Sequence, residues 1–271
     1  MKIGLNAGIF AGRPSAAEAI RLARAAGADG LELNLAEKGP FSLESGDEEL
    51  RAIRRAAESE GVELPTIHCG LHWQYPLTDP DPAVRARGVA ALERTLEVGA
   101  AIGARVHLVV PGVVKPEVPY GEAYRRAQEA VATLARKADA VGMRIGIENV
   151  WNRFLLSPLE MARFIDEFGT PTVGAFFDVG NILAYGYPLH WIETLGRRIY
   201  AVHFKDYRAD VAGGAGFVYL FQGDVPWGQI PGALAAVGYD WYVTAELGPY
   251  RFQAEKAAPD AVAAMRLILG R

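Results

Sequence analysis

The amino-acid sequence predicts an α/β protein, a single (β/α)8 TIM barrel spanning residues 1–271. Two observations carry this reading. Strand-like and helix-like segments alternate from end to end, eight of each, with no Ser-, Gly- or Pro-rich linker between them. The length of 271 residues also matches the roughly 250 that one such barrel uses. An open doubly wound sheet is the alternative. Against it, no G-x-G-x-x-G follows the first strand and no G-x-x-x-x-G-K-[ST] occurs anywhere, so neither nucleotide-binding fingerprint supports it.

The first strand is "KIGLNA". The opening "MKIGLNAGIFAGR" imitates a signal peptide, but Asn6 interrupts the apolar run and "SAAEAIRLARAAG" follows directly as an amphipathic helix. The later strands are "GLELNL" (30–35), "LPTIHCG" (64–70), "RVHLVVPG" (105–112), "RIGIENV" (144–150), "VGAFFDV" (173–179), "IYAVHFKD" (199–206) and "WYVTAEL" (241–247). Each is short, rich in Ile, Val, Leu or Phe, and bounded by Gly, Pro or charge. Helical patterns rich in Ala, Leu, Arg and Glu occupy 15–26, 47–60, 82–102, 121–141, 157–168, 188–196, 226–237 and 256–269. Several stop at glycine, as in "AAG", "SEG" and "AVG", where a left-handed cap is wanted.

Composition narrows the function. Hydrophobic residues make up 51% of the chain and charges are mixed, so a sizeable core is expected. A net charge of −4 argues against broad binding to nucleic acid or to an anionic membrane, and an anionic substrate would need a local basic patch. No apolar stretch approaches the roughly 20 residues that span a bilayer. Cys69 is the sole cysteine, which excludes disulfide frameworks and Cys-based zinc sites and suits a reducing cytoplasm.

The informative residues stand at strand ends. In four successive late strands the apolar run ends on a side chain able to bind a metal: Glu148, Asp178, His203 and Glu246. A barrel gathers the carboxyl ends of its strands on one face, so these four are expected to converge. Unpaired carboxylates clustered there would repel one another, and a divalent cation resolves the repulsion. Three carboxylates and an imidazole suit Mn²⁺, Mg²⁺ or Co²⁺ better than thiolate-type zinc.

The stretches "IGIENVWNRFLLSPLEMARFIDE", "GAFFDVGNILAYGYP", "IYAVHFKDYR" and "FQGDVPWGQI…GYDWYVTAE" resemble the sugar phosphate isomerase/epimerase family, the xylose-isomerase-like barrels. The resemblance covers essentially the whole chain. It is strongest to ketose 3-epimerases and to the L-ribulose/L-xylulose-5-phosphate 3-epimerase branch. It implies a (β/α)8 barrel with one divalent metal on Glu148, Asp178, His203 and Glu246; Mn²⁺ is the first choice, with Mg²⁺, Co²⁺ or Zn²⁺ as alternatives. It further implies that Glu148 and Glu246 form the acid/base pair and that Arg208 contacts substrate. The chain departs from the ketose epimerases at Asn181, where they carry a substrate-binding His, and "ENVWNRF" is one residue longer than their corresponding run. The apurinic endonucleases share the barrel, but their three-zinc site needs more histidines than the five present; Asn181 replaces one, and Val225 and Pro226 follow Asp224 where a D-x-H is required.

Several other residues are candidates. His72 is read as a substrate hydrogen-bonding residue and His68 as packing at the strand end, while His107 reads as core. Glu32 either orients a metal ligand or forms a buried structural pair. Trp73, Trp151 and Trp227 wall the pocket or simply pack. Lys205 and Arg208 precede the flexible run "RADVAGGAGFVYLFQGD", a Gly-rich loop able to close over substrate, with Lys205 and Arg208 as candidate phosphate ligands. The alternative for Lys205 is a surface pair with Asp206 or Asp210. The expected activity is metal-dependent inversion at C3 of a ketose or ketose phosphate. Aldose–ketose isomerisation on the same site, dehydration of an inosose-type ketone and a non-catalytic sugar-binding barrel are the alternatives. The expected partner is a small sugar or sugar phosphate, not nucleic acid or membrane, and a dimer or tetramer is a further expectation.

Overall fold

A computed structural model describes every residue from Met1 to Arg271. Eight parallel strands close into a barrel: β1 (Lys2–Asn6), β2 (Gly30–Leu35), β3 (Thr66–Cys69), β4 (Val106–Val109), β5 (Arg144–Glu148), β6 (Val173–Asp178), β7 (Ile199–Phe204) and β10 (Tyr242–Ala245). Their order around the barrel is β1-β10-β7-β6-β5-β4-β3-β2, so the last strand closes on the first and an open sheet is excluded. The eight helices are α1 (Ala16–Ala26), α2 (Asp47–Glu60), α3 (Pro82–Ile102), α4 (Tyr120–Val141), α5 (Pro158–Asp166), α6 (Pro188–Leu195), α7 (Ile230–Ala236) and α8 (Ala257–Ile268). None is long and apolar enough to cross a membrane.

Local chemistry sets the helix boundaries. Ser15 and Ser157 accept from the backbone of Glu18 and Glu160, and Asp81 caps α3 ahead of Pro82. Gly27, Gly61, Gly103 and Gly142 end α1 to α4 in the left-handed conformation, as the glycine stops predict. α7 begins later than the pattern at 226–237 predicts. Val225 and Trp227 are instead held by Asp206, and the chain turns through 226–229 before the helix can start.

The core has two parts. Most buried apolar side chains lie between strands and helices, among them Ile145, Phe177, Phe204 and Val243. A smaller cluster of Val106, Leu108, Val110, Phe176 and Ala201 fills the barrel interior. Gly146 makes room for it, since a Cβ there would stand 2.9 Å from the Cβ of Phe176. The Phe176 ring then supports His203, with ring centroids 4.4 Å apart. This apolar plug is the floor on which the polar strand ends rest.

The run after β7 is more structured than its glycines predict. Asp206–Tyr207 (β8) pairs antiparallel with Phe217–Val218 (β9), which ties both ends of the Gly-rich segment to the barrel.

Candidate metal centre

Strand register assembles the four late side chains. Asp178 lies directly opposite His203 in the β6–β7 pairing, and the Glu246 amide donates to the Phe204 carbonyl at the end of β7. Glu148 ends β5 beside Phe176. One ligand atom from each of Glu148, Asp178, His203 and Glu246 can be chosen so that all lie within 4.8 Å of one another. His203 Nδ1 stands 3.9 Å from Asp178 Oδ2 and 3.5 Å from Glu246 Oε2. Asp178 and His203 are fully buried, and Glu148 nearly so.

The donor set fits a divalent cation. Asp178 Oδ2, His203 Nδ1 and Glu246 Oε2 are buried without a hydrogen bond, and all three point to the same spot. Lys205 Nζ reaches only Asp178 Oδ2 and Glu246 Oε2, and a divalent cation would satisfy all the converging atoms together. Hard oxygen and imidazole donors match Mn²⁺, Mg²⁺ or Co²⁺.

A second set of residues fixes the first. His203 Nε2 lies 2.9 Å from Glu32 Oε1, and with Nε2–H donating to that carboxylate Nδ1 is the ring nitrogen left to face the cluster, where it could bind a cation once deprotonated. Glu32 is itself completely buried and saturated, accepting from Asn6 Nδ2 at 2.6 Å and from the Thr66 hydroxyl at 2.6 Å. Its contact with His203 is a buried pair that also fixes the orientation of the ring, so it fits both predicted roles. Asn149 bridges β5 and β6 in both directions: its amide donates to the Asp178 carbonyl, and its oxygen accepts from the Asp178 N–H. Asn181 donates its backbone N–H to Asp178 Oδ1 at 2.8 Å, and its side chain donates to the Asn149 carbonyl at 3.0 Å and to Glu148 Oε1 at 3.5 Å. Asn181 thus braces two of the four ligands.

Lys205 follows His203 by two residues, and strand alternation puts both on the same side. It does not pair with Asp206 or Asp210. Its ammonium lies 3.2 Å from Asp178 Oδ2 and in closer contact still with Glu246 Oε2. The Phe217 ring of β9 packs below Nζ at 5.1 Å. Electrostatics divide the carboxyls. Burial pushes Glu148 well above the usual range, with repulsion from Glu246 adding to it. Burial also pushes Asp178 up, against the pull of Lys205. Burial opposes the charge on Glu246 too, but Lys205 and His203 outweigh it and hold that carboxyl well below the usual range.

The remaining candidates take varied places. His68 lies at the rim, half-buried, and its ring stands 5.6 Å from that of His72. His72 is 1% exposed, and neither of its ring nitrogens has a partner. His107 is buried against the Ile67 carbonyl. Trp151 donates to the Asn181 carbonyl and packs on Tyr207 and Phe217, whereas Trp227 is buried on Asp206 and Trp73 is exposed. Arg208 is exposed and makes two hydrogen bonds to Asp210. Sequence reasoning missed Asn6, Thr66, Asn149 and Phe217 as supports. Asn149, an amide directly after a strand-end glutamate, and Asn6, which breaks the apolar run of the first strand, carried a signal.

A closed parallel barrel with a carboxylate–imidazole cluster at the carboxyl ends of its strands is built as an enzyme of the barrel class is built. The chain belongs to the xylose isomerase-like TIM barrel family, whose model matches residues 20–268. It is 31% identical over 196 residues to the 2-epi-5-epi-valiolone 7-phosphate 2-epimerase of an Actinoplanes species, covering 71% of this chain and 68% of the relative. It is 24% identical over 197 residues to the L-ribulose-5-phosphate 3-epimerase of Escherichia coli, covering 72% and 69% of the two chains. Among solved structures, a D-psicose 3-epimerase in the presence of D-fructose shares the fold, with a TM-score of 0.83 over 100% of both chains at 22% identity. These relatives are epimerases, and epimerases are isomerases.

Proposed function

We propose that the protein is a divalent-metal-dependent epimerase that inverts C3 of a ketose or ketose phosphate, with Glu148 and Glu246 as its two proton-transfer groups. One observation carries this reading. Glu246, His203, Asp178 and Glu148 come from β10, β7, β6 and β5, four consecutive strands of the barrel, so the two glutamates stand at opposite ends of an arc. Inversion at carbon needs a proton removed from one side and another delivered to the opposite side, and two flanking carboxylates suit that task. A cation held by the four side chains would supply Lewis acidity, making a C–H next to a carbonyl removable. One glutamate accepts the C3 proton at a carboxylate oxygen and keeps it, and the other, already carrying a solvent-derived proton, delivers that proton to the opposite face. Their rigid mounting on strand ends fixes both distances to the substrate carbon. Asn181 and Lys205 are the polar groups nearest the arc for binding substrate oxygens, with His72 behind the rim and Arg208 outside it. The two curated relatives, a cyclitol phosphate 2-epimerase and a ketose phosphate 3-epimerase, support the reaction class.

The test is incubation with pentuloses, hexuloses and their phosphates, with Mn²⁺ added, in deuterated water. Product carrying deuterium at C3 is expected. Label at C1 or C2 with none at C3 would instead identify an aldose–ketose isomerase. Absence of exchange with every sugar would leave a binding barrel. Glu148→Gln and Glu246→Gln should each abolish inversion while leaving the circular dichroism spectrum unchanged.

A further inference from the structure

The geometry points to Lys205 as a built-in counter-ion of the metal centre, one that shares Asp178 and Glu246 with the divalent cation and competes with it for them. This inference rests on the metal-dependent reading above. The two oxygens that Lys205 Nζ approaches, Asp178 Oδ2 and Glu246 Oε2, are the same two that point unpartnered into the donor cluster. Lys205 forms a short ion pair with Glu246 and a longer ionic contact with Asp178, and a divalent cation arriving on the same two oxygens would compete with both.

Lys205 is placed for this by its surroundings rather than by chance reach. Its side chain is 15% exposed. Its Cγ and its carbonyl press on Gly180, where a Cβ would come within 2.5 and 2.6 Å of them. Phe217 closes the other side at 5.1 Å, and Trp151 packs behind Phe217 with ring centroids 4.8 Å apart. The stem is therefore confined, and only the ammonium end can shift between carboxylates and cavity. Three ligand carboxylates in a buried arc repel one another strongly at low local dielectric. Lys205 is a cation in contact with two of them, Asp178 and Glu246, and it offsets that repulsion. A divalent ion arriving on the same oxygens meets the ammonium as a like charge a few ångströms away. Binding then requires Nζ to withdraw, which leaves its three N–H donors free for an oxygen of the substrate.

Two consequences separate this role from simple packing. Removing the charge should weaken the protein without metal and strengthen its grip on metal. A purely structural lysine would weaken both states alike. The experiment compares wild type with Lys205→Met and Lys205→Gln, measuring the Mn²⁺ dissociation constant by calorimetry and Tm with chelator or with saturating Mn²⁺. Both variants should bind Mn²⁺ about tenfold or more tightly, given the size of a like-charge interaction at this range. Their Tm should fall below wild type in chelator, and most of that gap should close in Mn²⁺. Equal affinity in all three proteins overturns the inference and leaves the metal reading standing. Absence of Mn²⁺ binding even in wild type overturns both. Should the variants fail to fold, the lysine ¹³Cε spectrum of the wild type decides. One buried lysine signal should move on addition of diamagnetic Mg²⁺, and an unmoved signal at saturation overturns the proposal.

Discussion

Glu32 reaches no metal-facing atom, yet it determines what His203 can offer. By accepting a hydrogen bond from Nε2–H it leaves Nδ1 as the nitrogen turned toward the cluster, and its own oxygens are fixed by Asn6 and Thr66. Glu32→Gln keeps the shape but weakens that hold, since the neutral amide no longer balances the imidazole. Metal affinity should fall roughly 10- to 100-fold with little change in secondary structure, the usual effect of losing such a support. Isothermal titration with Mn²⁺ checks this, and unchanged affinity would refute the role. Arg208 is a contrasting case, exposed and occupied by Asp210. If it grips a phosphate, Arg208→Ala should weaken a phosphorylated ketose by roughly tenfold to a hundredfold and a free ketose much less. Equal losses would mean that Arg208 positions the loop. The cleft of about 800 Å³ beside it, lined by Tyr185, Tyr187, Leu189 and Asp224, contains no Lys or Arg.

At the level of elements, the hairpin of β8 and β9 deserves the closest test because one carboxylate organises it. Asp206 is fully buried and accepts from the backbone of Tyr207 and Val225 and from Trp227 Nε1. Asp206→Ala would strand all three donors, and a loss of about 2–4 kcal/mol is expected from unpaired buried groups. Urea unfolding measures it. Because the same hairpin carries Phe217 against Lys205, activity should drop with stability, and an active, undiminished variant would contradict this account. The sequence revealed the eight barrel strands and their helices because each repeats an apolar period long enough to read. It concealed β8 and β9, which are two residues each, separated by a Gly-rich run that mimics a loop. The four metal-facing residues were legible for a different reason: each breaks an apolar strand at its end. Glu32 was less so, since Leu33 and Leu35 continue the strand beyond it. Lys205 was read as a substrate or phosphate ligand, with a surface pair to Asp206 or Asp210 as the alternative, and nothing in its sequence neighbourhood pointed to Asp178 and Glu246 as the carboxylates it contacts.

At the scale of the whole molecule, His107 with His68 and His72 should make the protein sensitive to acid. Burial opposes the charge on His203, but the carboxylates around it outweigh that and raise it, so it acts in the opposite sense. Burial holds His107 down to about 4, against an ordinary value near 6.5. The unfolded chain takes up that proton first, so the contribution is fully present above about pH 6.5 and is lost as pH falls toward 4. Its size is about 3 kcal/mol at most, from 1.36 kcal/mol per unit. His68 and His72 are lowered by burial in the same sense. Glu148, raised by burial, responds oppositely, so the wild type alone gives a mixed profile. The difference between wild type and His107→Leu isolates the imidazole. Between pH 7 and 5 the wild type should lose stability faster than the variant in denaturant titrations, and parallel curves would refute the assignment.

If the four side chains hold a metal as proposed, their order along the chain also sets a timetable for its acquisition. β10 is the last barrel strand to be synthesised, and it must find β1, the first, to close the ring. Glu246 arrives on that closing strand, roughly 100 residues behind Glu148, which a ribosome covers in about 5–20 s. Until then the nascent chain can present Glu148, Asp178 and His203 but not the fourth donor. Ring closure and completion of the cage are one event, so a tight, correctly shaped cage exists only on a finished barrel. Metal loading becomes a late step, and a chain that misfolds before closure has no complete cage with which to trap an ion.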